Sequence, residues 1–153
     1  MPTQNQINLT NTLIKQCEGL KLAAYYDTKN VPTIGIGTTR YPNGVAVKIG
    51  DTCTIDQAYD YLDSHLDKFI FSAVDKLQQK YGFDDYVYAA VCSLAYNVGA
   101  ALSGLSIIRA LKNGCKDELA TAFRKYIYSN GVVVQGLKNR REIEINFFNQ
   151  NEA

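Results

Sequence analysis

Three side chains near the start of the chain have types and spacing suited to chemistry: Glu18, Asp27 and Thr33. They lie in the stretch EGLKLAAYYDTKNVPTIGIG, which ends at Gly37. Two carboxyl groups and a hydroxyl close to one fold of the backbone are what hydrolysis of a glycosidic bond uses. One acid protonates the leaving oxygen, and the other prepares a water on the opposite face of the sugar. Taken alone, Glu18 reads as a solvated glutamate; the chemistry is carried by the three residues together.

The surrounding elements must position these groups. Residues from about Asn8 to Glu18 have helical spacing, with Leu13, Cys17 and Leu20 on one apolar face. Gly19 suits the end of that helix, so Glu18 falls at a helix terminus. From Ala23 to about Val47 the pattern changes to strand and turn. Tyr25-Tyr26 lead into the polar turn Asp27-Thr28-Lys29-Asn30, and Pro32 precedes the alternating run Thr33 to Gly37. Pro42-Asn43-Gly44 is a turn from which Val45-Ala46-Val47 can return, for a sheet of two or three strands. The glycines let the backbone lie close to something bulky.

The remainder reads as helical. Thr54-Ile55-Asp56-Gln57 has the form of a capping box, and Ala58 to Leu77 keeps helical spacing as one helix or two. Asp84-Asp85 suit the next N-terminus. Val87, Ala90, Val91, Leu94, Ala95 and Val98 form an amphipathic stripe, read as the core helix. A shorter helix stops at Asn113-Gly114, another stripe runs from Leu119 to Ile127, and Ser129-Asn130-Gly131 reads as a loop. The last helix spans about Leu137 to Phe148, with Leu137, Arg141, Ile145 and Phe148 on one line. The expected class is α+β and mainly helical. A small sheet-containing lobe covers about residues 20–55. A larger helical lobe covers about 82–150 plus the N-terminal helix. The 153 residues form a single domain, with an active cleft between the unequal lobes.

Composition narrows the alternatives. Hydrophobic content of 46%, charged content of 20% and a net charge of +1 suit a soluble globular chain and offer no basic field for nucleic acid. Cys17, Cys53, Cys92 and Cys115 are too scattered for a zinc knuckle or redox pair, and read as small buried hydrophobes, a disulfide staying open. The single histidine, His65, reads as a partly buried helix residue, so no Ser-His-Asp or Cys-His site is expected. No metal site and no cofactor are implied. The N-terminus MPTQNQINLT has no apolar signal region, and no run of about 18 apolar residues occurs, so neither export by a leader nor membrane insertion is expected.

The order Glu18, eight residues, Asp27, five residues, Thr33, then Ile-Gly-Ile-Gly resembles the phage-type lysozymes, glycoside hydrolase family 24. The resemblance runs from about Leu9 to Phe148. It includes Ser93-Leu94-Ala95-Tyr96-Asn97-Val98-Gly99 and the late Gly136-Leu137…Arg140-Arg141-Glu142 cluster. It implies an endolysin muramidase with a lysozyme-like fold, cutting between N-acetylmuramic acid and N-acetylglucosamine with inversion. Glu18 is then the acid, Asp27 the carboxylate that deprotonates the water, and Thr33 the hydroxyl that holds it. An arginine at the start of the last helix pairs with the acid, a role open to both Arg140 and Arg141. Asn97 is placed to line the cleft or simply to end the core helix. The implied partner is the peptidoglycan glycan strand. The implied setting is a monomer that starts in the host cytoplasm and reaches the periplasmic wall through a holin-type pore. Thr38 stands where many members have a bracing histidine, which puts a structural contact in doubt and leaves the chemistry as it was. The alternative reading is a muramidase-like binding or scaffold module without hydrolysis.

Overall fold

In the computed structural model, residues 1–150 are described. Their elements in order are helix α1 (Gln4–Glu18), strands β1 (Lys21–Tyr26) and β2 (Pro32–Gly35), helices α2 (Ile55–Phe69), α3 (Phe71–Tyr81) and α4 (Asp85–Asn97), a short 3-10 turn (Gly99–Ser103), helices α5 (Leu105–Asn113) and α6 (Lys116–Phe123), strands β3 (Tyr128–Ser129) and β4 (Val132–Val133), and helix α7 (Gln135–Phe148). The chain forms two compact units. One is Ile14–Phe69; the other is Met1–Leu13 together with the chain from Ile70 on.

In the first unit, β1 and β2 pair antiparallel, with Tyr25 opposite Thr33 and Lys21 opposite Gly35. Three residues of β1, Leu22 to Ala24, thus lie opposite the single Ile34 of β2, and they turn to another segment. Cys53 N–H donates to the Leu22 carbonyl, and Ala24 N–H donates to the Asp51 carbonyl. A bulge of this kind twists a strand and re-aims the side chains beyond it. Val45–Val47 does not become a third strand of this sheet. It folds back on Thr39–Tyr41 through one bridge, Arg40 to Ala46, around the turn at Gly44. That loop is held by Asp51, which accepts from the Tyr41 hydroxyl at 2.7 Å and from Lys48 N–H at 3.0 Å. The capping box at the start of α2 forms as expected, Thr54 and Gln57 exchanging bonds of 2.9 and 3.1 Å. His65 lies on the solvent side of α2, its ring 4.9 Å from the exposed Phe69, and is more open than its spacing implied.

In the second unit, α1 begins at Gln4, before the expected Asn8. Thr3 and Gln6 form a further capping box, with reciprocal bonds of 3.0 and 3.1 Å, that starts the helix early. Gln6 is itself buried and donates to Gln78 and Asp85, tying α1 to α3 and α4. The long helical run is two helices, broken at Ile70. Asp84 caps α4, its carboxylate accepting from Val87 N–H at 2.8 Å. The stripe reading of α4 needs correction. Every residue from Val87 to Ala95 is buried, so this helix is enclosed on all sides. The loop reading at Ser129-Asn130-Gly131 is also replaced. Asn130 and Gly131 both have positive φ, 51° and 77°, and close the β3–β4 hairpin. Asn-Gly favours that turn because both central residues must be left-handed. The cysteines form no disulfide. Cys92 is buried, Cys17 and Cys53 are half-buried, and Cys115, at the N-terminus of α6, is exposed, against the expectation of a buried thiol.

Candidate active site

Glu18, Asp27 and Thr33 all belong to the Ile14–Phe69 unit, and each is positioned by backbone geometry. Glu18 is the last residue of α1. The helix ends there because Gly19 turns left-handed (φ 75°) while its N–H still donates to the Lys15 carbonyl. The acid meets a loop built for it. Ile34 and Thr38 exchange both backbone hydrogen bonds, at 2.8 and 2.9 Å, closing the three residues Gly35-Ile36-Gly37 into a tight turn. Gly35 and Gly37 have φ of 66° and 74°. A Cβ at Gly37 would stand 2.8 Å from Cδ and Oε1 of Glu18, closer than atoms can approach. Glycine at this position leaves the carboxyl where it is; any larger residue would have to displace it. Thr38, in the place of the common histidine, is buried and closes this turn through its backbone.

Asp27 sits in the turn that joins β1 to β2. Its Oδ1 accepts from Lys29 N–H at 2.8 Å and from Val31 N–H at 2.9 Å. Its backbone N–H donates to the Val31 carbonyl and its carbonyl accepts from Asn30 N–H, so main chain and side chain lock the same turn. Oδ2 takes no hydrogen bond from the described residues. Thr33 is 3% exposed, and its hydroxyl donates to the Val31 carbonyl at 2.8 Å. With that proton committed, the oxygen can only accept from a further group.

Tyr25 links the three. Its backbone pairs with Thr33 across the sheet. Its phenol pKa is raised, first by burial and then by the negative charges of Glu18 and Asp27. Both carboxylates therefore bear on one side chain that lies opposite the threonine.

The other expected residues gather in the second unit around a group the sequence reading did not name, Glu144. This carboxylate is fully buried. Its Oε1 is 2.7 Å from Arg141 Nε, and its Oε2 is 3.3 Å from Arg140 Nε. The Ser93 hydroxyl donates to Oε2 at 2.6 Å, and Arg140 Nη2 donates back to the Ser93 carbonyl and hydroxyl. Arg141 is also fully buried and donates to Asn97 Oδ1 at 2.8 Å and to the Tyr126 carbonyl at 3.0 Å. Asn97 is thus held at the end of α4 by Arg141. Glu144 lies three residues beyond Arg141 and four beyond Arg140, the spacing at which helical side chains meet. That spacing, together with the place of Arg141 on the apolar line of α7, was the available signal. Among the described residues, no group of three or more His, Cys, Asp or Glu side chains could hold a metal ion.

A mainly helical α+β chain, with two acids and a threonine seated on a helix end, a turn and a two-stranded sheet, has the architecture of a lysozyme-like glycoside hydrolase. The comparisons agree. The model of the phage lysozyme family matches residues 15–144. The endolysin of Salmonella phage P22 is 33% identical over 73% of this chain and 76% of its own length. The endolysin of Bacillus phage PZA is 36% identical over 90% of this chain, which spans 52% of that protein. The solved structure of the endolysin from Escherichia coli O157:H7 phage FAHEc1 superposes with a TM-score of 0.82 at 33% identity, covering 97% of this chain and 93% of its own. The chain belongs to the phage lysozyme family, and it is a glycoside hydrolase of the endolysin type.

Proposed function

We propose that this lysozyme hydrolyses the β-1,4 linkage between N-acetylmuramic acid and N-acetylglucosamine, with Glu18 as general acid, Asp27 as general base and Thr33 as the acceptor that holds the attacking water. The observation that carries the reading is that the Glu18 carboxyl packs on Gly37, in the turn that follows Thr33, while Asp27 lies in the turn that precedes it. The direction of the hydrogen bonds supports it. Because Thr33 spends its proton on the Val31 carbonyl, a water there must donate to its Oγ1. Asp27 Oδ1 is held by two amides, so Oδ2 is the oxygen that accepts the second hydrogen of that water. With both hydrogens directed, a lone pair is left for the anomeric carbon. Glu18 gives its proton to the departing glycosidic oxygen as Asp27 takes one from the water. The reaction is a single displacement with inversion, which requires the carboxyls roughly 6.5–9.5 Å apart.

The protein acts as a monomer on the wall of the phage's host, and reaches it from the cytoplasm after a holin-type protein has opened the membrane. No helix of the described residues is long and apolar enough to cross a membrane. The decisive experiment compares Glu18→Gln and Asp27→Asn with the parent on permeabilised cells and on purified sacculi. Each variant should fold and lose at least about 100-fold in the release of reducing ends. Lysis at the parental rate by Glu18→Gln would overturn the assignment of the acid. The anomer first released, read by NMR, tests inversion.

A further inference from the structure

The mechanism above leaves one polar group in the site without work, the Tyr25 hydroxyl. The ring is half-buried, yet the hydroxyl donates to no acceptor among the described residues. With no internal acceptor and its ring only partly covered, the hydroxyl is open to an acceptor that a ligand brings. The chain goes to some length to place it. The bulge in β1 detaches Leu22–Ala24 from β2 and ties them to residues 51–53, and β1 rejoins β2 at Tyr25, opposite Thr33. The neighbouring Tyr26 is 60% exposed, as expected of the opposite face of the strand.

We infer that the Tyr25 hydroxyl is a substrate-binding donor, which hydrogen-bonds a neutral oxygen of the amino sugar at the scissile linkage, a hydroxyl or an acetamido carbonyl. The inference rests on the proposed site and adds a contact to it. The neutral character of the acceptor follows from the surroundings. The phenol lies in the field of Asp27, the base that must be ionised, so an anionic acceptor such as the lactyl carboxylate of the muramic acid would be repelled there, whereas a neutral oxygen would not. The same field and the partial burial keep the phenol protonated, and so a donor, up to and beyond its ordinary value near 10.

The test uses the full chain and soluble, fully N-acetylated glycan fragments. In the Glu18→Gln background, which separates binding from turnover, adding Tyr25→Phe should weaken binding of the fragments by about tenfold in titration calorimetry, the value of one hydrogen bond to a ligand. In the active enzyme, Tyr25→Phe should lower kcat/KM by a similar factor, and the ratio to the parent should stay constant from pH 5 to 9. Its melting temperature should match the parent's, because the hydroxyl makes no internal bond. Equal affinity of the two Glu18→Gln proteins would overturn the inference. So would a fall in melting temperature that accounts for the loss, since the hydroxyl would then be structural. Tyr25→Leu, which removes the ring as well, must bind no better than Tyr25→Phe. If Glu18→Gln alone keeps parental lysis, the proposed site fails; if it is inactive and Tyr25→Phe is indistinguishable from the parent, only the tyrosine contact fails.

Discussion

The Glu18–Thr38 region and the Ser93–Glu144 region both hold acidic side chains in fixed positions, and they do so by opposite means. In the first, the backbone does much of the positioning. Asp27 is oriented by two amide N–H groups of its own turn, Thr33 by a carbonyl two residues back, and Glu18 by a helix end facing a glycine. The acids remain accessible, as groups that exchange protons with substrate and water must. In the second, side-chain charges in a dry interior do the positioning. Glu144 is surrounded by two guanidiniums and a serine hydroxyl and has no exposed surface. A buried carboxylate of this kind contributes rigidity, and its removal takes from two guanidiniums the anion they share.

The comparison can be tested in both directions. The largest effect on stability belongs to Glu144→Ala, which removes a buried carboxylate that two guanidiniums share. It should cost about 3–5 kcal/mol in denaturant unfolding. Glu144→Gln should recover only part of that loss, because the amide keeps the shape and discards the charge. A cost under about 1 kcal/mol for Glu144→Ala would show that water or another acid neutralises the pair.

Gly37→Ala should act chiefly on activity. The new methyl meets the Glu18 carboxyl at 2.8 Å and must displace it, and a shift of about 1 Å in a reacting group costs about 100-fold in rate. Gly82→Ala is the matched control. Its φ of 73° is nearly that of Gly37, but nothing lies within 4 Å of the added Cβ. Both should lose about 1 kcal/mol from left-handed backbone, and only Gly37→Ala should lose lysis.

The smallest effect lies on the surface. Arg124 and Glu142 form a two-pronged pair at 2.9 and 3.0 Å, with both side chains about half exposed. The hydrogen bonds from Arg124 are the main cause of the lowered pKa of Glu142. A carboxylate whose folded pKa is lowered contributes stability above its ordinary range and loses it as pH falls through the lowered value. Arg124→Ala should therefore cost under about 1 kcal/mol at pH 7. The difference from the parent should vanish in 1 M salt, and also below the range where glutamates protonate.

Much of this protein was readable from residue types at short range. The Thr54–Gln57 capping box, the Asp84 cap and the helix ends at Gly19 and Gly114 depend on neighbours within a few residues, and they form as read. Asn130-Gly131 was equally local, and its hairpin was missed only because the flanking strands are two residues each. What required tertiary structure was burial and long-range pairing. The sequence of α4 shows a stripe, but whether a helix is covered on one side or all round depends on elements far along the chain. A cysteine's spacing likewise did not say that Cys115 would be exposed. Arg140, Arg141 and Glu144 are charged residues in a charged run, and only Arg141, on the apolar line of Leu137, Ile145 and Phe148, carries a local sign of facing inward; a charge is stable there only when its partners, among them Ser93 and Asn97 on α4, are brought to it by the fold. Local hydrogen bonds are written in neighbouring residues, whereas desolvation depends on every element that packs against a site, and that is decided only when the chain has folded.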